Sequence, residues 1–368
     1  PAAEGILLGE AYALKYLQKN LKTVALKALH NSFLLSKFDG SLVRITADGV
    51  SSAFTTKAAL RTAVQAFNAN PTDATATYGP IADWDVSAIS DMSGLFKGLK
   101  NFNADISNWN TSNVNDMSDM FNGATAFNQP LDFVTSNVNN MRGMFRAAAV
   151  FNQLLDFDTS SVTVMSGMFR EAKAFNQLLS KPTGRALQLD TDAGCAFDTS
   201  IVTDMSGMFQ GAIAYNPRQL DSMDAGCAFD TSIVTDMKGM FRGATEFNQP
   251  VRFLTSIVTD MSGMFRGARA YNQPVNFDTS IVTDMSGMFR GAIAYNQPVS
   301  SSVATARRAL LNTDVGCADE PLSGFDTSNV TNMKGMFQNA TVFNQPVDFD
   351  TSSVTDFHHM FRNAKAYN

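Results

Sequence analysis

The stretch Phe277–Val299, FDTSIVTDMSGMFRGAIAYNQPV, decides how this chain is read. Nearly the same words recur from Trp84 to the C-terminus, and self-similarity at a period of 20–50 residues is the signature of stacked structural units. With Phe277 as position 1, the register is set by the methionine at position 9: Met92, Met117, Met141, Met165, Met205, Met237, Met261, Met285 and Met333, with Phe357 in the last copy. The steps are 25, 24, 24, 40, 32, 24, 24, 48 and 24 residues, so the basic period is 24. Every long step adds chain at one place, after the NQPV-like words and before the FDTS-like words. The insertions are 180–196, 218–228 and 300–324. A loop there leaves a stack intact.

Position 4 is Ser, position 13 Phe and position 20 Asn in every copy. Positions 9, 12, 13 and 16 (Met285, Met288, Phe289 and Ala292) read i, i+3, i+4, i+7, which predicts a short helix of about two turns capped by Asp284 or Thr283. The preceding FDTSIV is β-rich and predicts one short parallel strand per coil. Pro298 holds Gln297 extended. One repeat cannot bury Phe289, Met288 and Tyr295 alone, whereas stacked coils can. The expected fold is therefore a repeat solenoid, leucine-rich-repeat-like and α/β, with a short strand and a short helix per 24-residue coil. Ten coils would span about 50 Å. The Asn column suggests a ladder that satisfies backbone groups of neighbouring turns. The Met and Phe stripes read as core; a Met-rich metal or promiscuous binding surface fits their core-like spacing poorly.

Ahead of the repeats, 1–55 reads as an N-terminal helical docking segment, 56–83 as a helical cap with half a repeat, and 84–368 as the ten-coil solenoid. Ala11–Leu35 has a helical apolar pattern through Leu14, Leu17, Leu21 and Val24, with Lys15, Lys19 and Lys22 between. It suits either a helix folded onto the solenoid's end or an amphipathic surface docking to a partner or a membrane surface. Asp39-Gly40 and Ser41–Ile45 read as a turn and a short strand. Thr56 is the expected N-cap of a second helix through Phe67, and Asn68–Thr77 reads as a polar loop with Pro71. Tyr78–Trp84 matches the spacing of Tyr271–Phe277 and starts the stack.

Trp109–Leu131, WNTSNVNDMSDMFNGATAFNQPL, resembles the BspA-like, leucine-rich-repeat-related surface proteins, also known as the Mycoplasma lipoprotein or bacterial-surface-protein repeat family of unknown function. The resemblance covers about 78–368. Thr56–Trp84 is similar to the lead-in of members from unicellular algae. The resemblance implies a right-handed repeat solenoid with surface or interaction roles, and brings no catalytic residues. The basic helical N-terminus and the Cys-bearing insertions depart from that pattern.

No catalytic, cofactor-binding or metal-binding residues are assigned. His30, His358 and His359 are the only histidines, and no GxGxxG, P-loop or CxxC occurs. Acidic columns at positions 2 and 8, and a basic column at position 14 (Arg146, Arg170, Arg242, Arg266, Arg290, Arg362), read first as capping groups and solvated faces, with calcium as a lesser reading. A Thr column at position 7 invites ice binding, but the Asp that usually follows suits ice poorly. The chain carries a formal charge of −6, and residues 1–68 hold eight Lys/Arg against four Asp/Glu, so the repeats bear the acidic excess. An acidic solenoid is a poor nucleic-acid binder, and no apolar run is long enough for a membrane span.

The expected function is a non-catalytic structural or protein–protein interaction scaffold, a peripheral subunit of a larger assembly, with other proteins as partners, no cofactor and no nucleic acid. The alternative is a cell-surface adhesion or recognition protein. The location is accordingly a cell surface or the periphery of an organelle membrane. Cys195 and Cys227 precede Phe197 and Phe229 by two residues each, equivalent sites on adjacent coils and so a candidate disulfide; two reduced thiols are the other reading. Cys317 has no such neighbour.

Overall fold

The computed structural model describes residues 33–36, 41–46, 49–179, 197–217, 229–251, 253–299 and 325–368. The chain opens on an antiparallel meander, β1 (Phe33–Ser36), β2 (Ser41–Thr46) and β3 (Gly49–Phe54), with Phe33 opposite Ile45 and Ser41 opposite Phe54. The helix expected through Leu35 is thus corrected at its end, because Phe33–Leu35 pair with β2. α1 (Lys57–Ala69) starts at Thr56, whose hydroxyl accepts the Ala59 N–H at 3.3 Å, the capping bond expected of that residue. A second helix, α2 (Pro71–Tyr78), replaces the expected polar loop. Its reason is local: Asn70 Oδ1 accepts the N–H groups of Thr72 and Asp73, and Pro71 sits in the first turn, where a missing N–H costs nothing.

This lead-in joins the repeats through backbone and core. Phe54 N–H donates to Asp85 O at 2.8 Å, and Asp85 N–H donates to Ser52 O at 2.8 Å, so β3 pairs in parallel with the first coil. Phe54 packs on Trp84 with ring centroids 5.1 Å apart, and Leu60, Val64 and Tyr78 close the same cluster.

From Trp84 the chain runs through ten coils, starting at Trp84, Trp109, Phe133, Phe157, Phe197, Phe229, Phe253, Phe277, Phe325 and Phe349. Successive coils pair in register through single parallel bridges at position 8, as in Asp236–Asp260–Asp284–Asn332. The strand expected over FDTSIV does not form, and the bridge at position 8 falls two residues beyond it. The expected helix at positions 9–16 is absent too. In its place stands a run of tight turns, with Met288 N–H donating to Met285 O, Arg290 N–H to Gly287 O and Ala292 N–H to Phe289 O. The intervening amides leave the coil: Met285, Gly287, Phe289 and Gly291 donate to Asn332 O, Lys334 O, Met336 O and Gln338 O of the next coil at 2.7–3.0 Å. Alternating amides therefore serve the coil and the stack. A helix would commit them all to its own axis. The arrangement needs left-handed backbone at positions 11 and 15, where Gly287 has φ 60 and Gly291 φ 71. Ala147 takes φ 54 at position 15, a conformation that costs a non-glycine residue roughly 1 kcal/mol and that the stack must hold in place.

Inside, the repeat positions become columns. Phenylalanines at position 13 stack coil on coil, with centroids 5.7 Å apart for Phe265–Phe289 and 5.6 Å for Phe289–Phe337. Each also stacks on the position-19 ring of its own coil, as Phe289 does on Tyr295 at 4.0 Å. Met285, Met288 and Val282 are wholly buried beside them. Two polar columns tie the edges. The buried Thr at position 3 donates to the position-2 carbonyl of the next coil, as Thr255 does to Asp278 O at 2.8 Å. The Asn ladder is present: Asn296 N–H donates to Asn272 Oδ1 at 2.9 Å, and Gln297 Nε2 to Asn272 O at 3.0 Å. Among the described residues no helix is long and apolar enough to cross a membrane.

Candidate functional site

Stacking turns each repeat position into a line along the surface, and charge divides between these lines. Every described Lys or Arg from Trp84 onward lies at position 10, 14 or 17. Apart from Asp119, Glu171 and Glu246, every described Asp or Glu there lies at position 2, 8, 22 or 24. The net negative charge thus conceals one basic face and one acidic face.

On the acidic face the carboxylates hold their own coils. At position 2, Asp278 Oδ1 accepts the Ser280 N–H at 3.0 Å. At position 8, Asp284 Oδ1 accepts the Ser286 N–H at 2.7 Å. Where Asn stands at position 8, the column is bridged: Asn332 Nδ2 donates to Asp284 Oδ2 at 3.1 Å and Asn140 Nδ2 to Asp116 Oδ2 at 3.3 Å. Between the four stacked aspartates Asp204, Asp236, Asp260 and Asp284 no such bridge forms. Burial raises the carboxyl pKa of Asp236, and the charges of Asp204 and Asp260 push the same way, against the Lys238 N–H and the Lys238 charge. At the lead-in, burial also works to raise Asp91, but hydrogen bonds from Lys57 and Ser93 and the Lys57 charge prevail and hold it below its ordinary value.

The basic face is built differently. Lys97 pairs with Asp119 at 2.8 Å, and Lys238 and Lys334 reach Asp260 and Asp356 at 3.4 and 3.6 Å across its border. The arginines of position 14 (Arg146, Arg170, Arg242, Arg266, Arg290, Arg362) have no ion pair and no side-chain hydrogen bond among the described residues. Burial, then the neighbouring Arg242 and Arg290, push the Arg266 guanidinium below its ordinary pKa. The floor between the arginines is the glycine of position 11. A Cβ on Gly287 would lie 3.7 Å from Arg290 Cβ and 4.0 Å from Arg266 Cδ. Two shallow depressions run along this face and meet at Arg266 and Ser286.

A third surface line is apolar and local. Ile201, Ile233, Ile257 and Ile281 at position 5 are each about two-fifths exposed. The first coil has Ala88 there, and in the remaining coils Asn or Ser bonds the coil before, as Asn113 Nδ2 does to Ser87 O at 2.7 Å.

The proposed docking residues Leu14, Lys15, Leu17, Lys19, Leu21, Lys22 and Val24, and the cysteines 195, 227 and 317, lie outside the described residues. Thr hydroxyls of position 7 bond backbone, Thr283 Oγ1 to Thr259 O at 3.3 Å. His358 Nδ1 lies 2.9 Å from Asp356 Oδ1, and no cluster of three His, Cys, Asp or Glu fit to hold a metal occurs among the described residues.

Hydrogen-bonded coils in register, closed at one end by the lead-in and divided by charge along their length, define a repeat protein whose surface is a set of parallel columns. Matches to the family described as "Mycoplasma protein of unknown function, DUF285" fall at 61–182, 132–226, 186–252, 219–315 and 311–368, and the chain belongs to that family. The matches repeat along the coils and reach back into α1. A comparison with curated proteins returned no match.

Proposed function

We propose that the chain is a non-catalytic recognition scaffold: a leucine-rich-repeat-like solenoid that presents repeated columns of side chains to partners within a larger assembly. The observation that carries this reading is the continuity of the core. Phe rings stack from Phe96 to Phe361 without a break in type, which couples every coil to the next and holds the surface columns at a fixed spacing. Rigid, repeated spacing favours extended contacts over a single pocket. On this reading other proteins are partners, and the Lys-rich apolar sequence around Leu14, Leu17, Leu21 and Val24 docks the chain in its assembly. Size-exclusion of native extract tests it. The full chain should elute well above the free-chain size, and a chain lacking 1–37 should shift to the free size. Elution of the full chain as a free monomer overturns the reading.

Cell-surface adhesion is the second reading. Membership of a family of repeat-containing, surface-type proteins supports it. Cleavage by protease added to intact cells separates it from an internal scaffold.

A further inference from the structure

We propose that the basic face is a groove for a single linear acidic polysaccharide, lying along the column of arginines at position 14. The proposal rests on the recognition-scaffold reading and names the ligand class of one of its faces.

The first argument is charge without a partner. Arg242, Arg266 and Arg290 come from three consecutive coils, and the rings just before them in sequence stack 5.7 Å apart. Like charges in such a line repel, and the carboxylates that could neutralise them belong to other columns. On the acidic face the same problem is met by backbone N–H donors within each coil. No described group does this for the arginines, so the counter-charge comes from outside.

The second argument is shape. From Gly143 to Gly335 the glycines of position 11 leave a floor without side chains, so the arginine stems lie beside open backbone, with Asp119 and His359 at the two ends of that floor and Asp204 and Asp284 along its side. Serines at position 10 line it. Ser262 among them is 7% exposed, and its buried hydroxyl has no protein partner.

The third argument separates ligand classes. Single-stranded nucleic acid is bound by charge together with exposed aromatic rings on which bases stack. Here the rings nearest the groove, Phe265, Phe289, Tyr271 and Tyr295, are wholly buried. A duplex, wider than a single strand, would cover more of the position-8 carboxylates, two of which, Asp204 and Asp284, already line the depression beside the arginines. A lone sugar chain bearing carboxylates or sulfates is narrow, and its charges recur ring by ring at a spacing comparable with one coil step. Its hydroxyls suit the serines.

The test uses the full chain with four probes of matched charge concentration: alginate, heparin, single-stranded DNA and poly-glutamate, with neutral dextran as blank. Alginate and heparin should bind at least about tenfold more tightly than the other two polyanions, with affinity falling as salt rises. The triple variant Arg242→Gln, Arg266→Gln, Arg290→Gln should lose about tenfold or more, with its salt slope reduced by about one per arginine removed. Gln already occupies position 14 as Gln210 and Gln338, so an unchanged melting temperature is expected. Asp278→Asn, outside the depression, should bind as the parent does. Equal binding of the triple variant, or preference for DNA or poly-glutamate, overturns the proposal. A full chain that elutes in a large assembly yet binds neither polysaccharide loses the ligand class alone; a monomer in extract that binds both loses the scaffold reading and keeps the groove.

Discussion

The two charged faces of the coils carry the same kind of pattern, like charge repeated along a column, and use it in opposite ways. Aspartates at positions 2 and 8 are turned toward their own backbone, where each carboxylate accepts an amide that the tight turn would otherwise leave open. Arginines at position 14 touch no such group. Repetition therefore does not by itself mark function: the acidic columns are part of how each coil closes, while the basic column is held out from the fold.

The sharpest way to break the comparison is to remove what the faces share. Phe265 lies directly before Arg266, stacks on Phe241 and Phe289 at 5.7 Å, and on Tyr271 at 4.1 Å. Phe265→Ala should cost about 3–5 kcal/mol. Chemical denaturation should show one loss for the neighbouring coils, because each coil relies on the next. If only local signals change while the midpoint stays put, the coils are less coupled than their ring stacking implies.

Next comes the acidic face alone. Asp284 holds the Ser286 N–H and also receives Asn332 Nδ2 from the following coil. Asp284→Ala removes both acceptors and should cost about 1–2 kcal/mol in denaturant midpoint measurements. Asp284→Asn keeps the first bond and should cost less. Equal losses for the two variants would mean that charge, and not the turn, is what this column supplies.

Much of this contrast was legible in the sequence, and its failures are instructive. The 24-residue register, the place of every insertion, the Thr56 cap and the Asn ladder follow from spacing and residue chemistry. The helix at positions 9–16 did not form because Met285, Met288, Phe289 and Ala292 can also line the inside of consecutive tight turns. Glycine at positions 11 and 15 is the signal for left-handed backbone and for amides turned to the next coil. Pro71 suggests a loop from sequence, yet it opens a helix behind the Asn70 cap. The basic column was visible, but the net charge of −6 masked its segregation. That its arginines lack partners depends on side-chain geometry that no spacing reveals.

A smaller effect sharpens the comparison within the acidic face. The raised Asp236 pKa means that its charged form is disfavoured in the folded chain, by burial and by Asp204 and Asp260. Folding then binds a proton more tightly than the unfolded chain does, so stability from this group rises as pH falls through the raised value and is lost above it. Asp236→Asn should keep the acceptor for Lys238 N–H and offer an amide to Asp204, as Asn332 does to Asp284. The variant should be stabilised by about 0.5 kcal/mol at neutral pH, a modest figure because the site is only partly buried. The gain should shrink toward acid pH as the wild-type carboxyl takes up its proton. A gain that persists unchanged at low pH would assign it to the new amide bond, with no part for charge.

The smallest expected stability effect belongs to the basic face, and its smallness is the point. Arg266 makes no ion pair or side-chain hydrogen bond among the described residues, and burial, then its two neighbours of like charge, lower its pKa. Removing the charge loses some packing of the stem over Gly287 and relieves repulsion from Arg242 and Arg290. These terms oppose, so Arg266→Gln should change the unfolding free energy by less than about 0.5 kcal/mol, as for a surface position outside the fold's hydrogen bonds. Measured beside Asp284→Ala, it asks whether the two columns differ in kind. A loss for Arg266→Gln as large as that of the aspartate variant would show the arginine to be a structural member of its coil, and the face would then have no claim to be held free for a ligand.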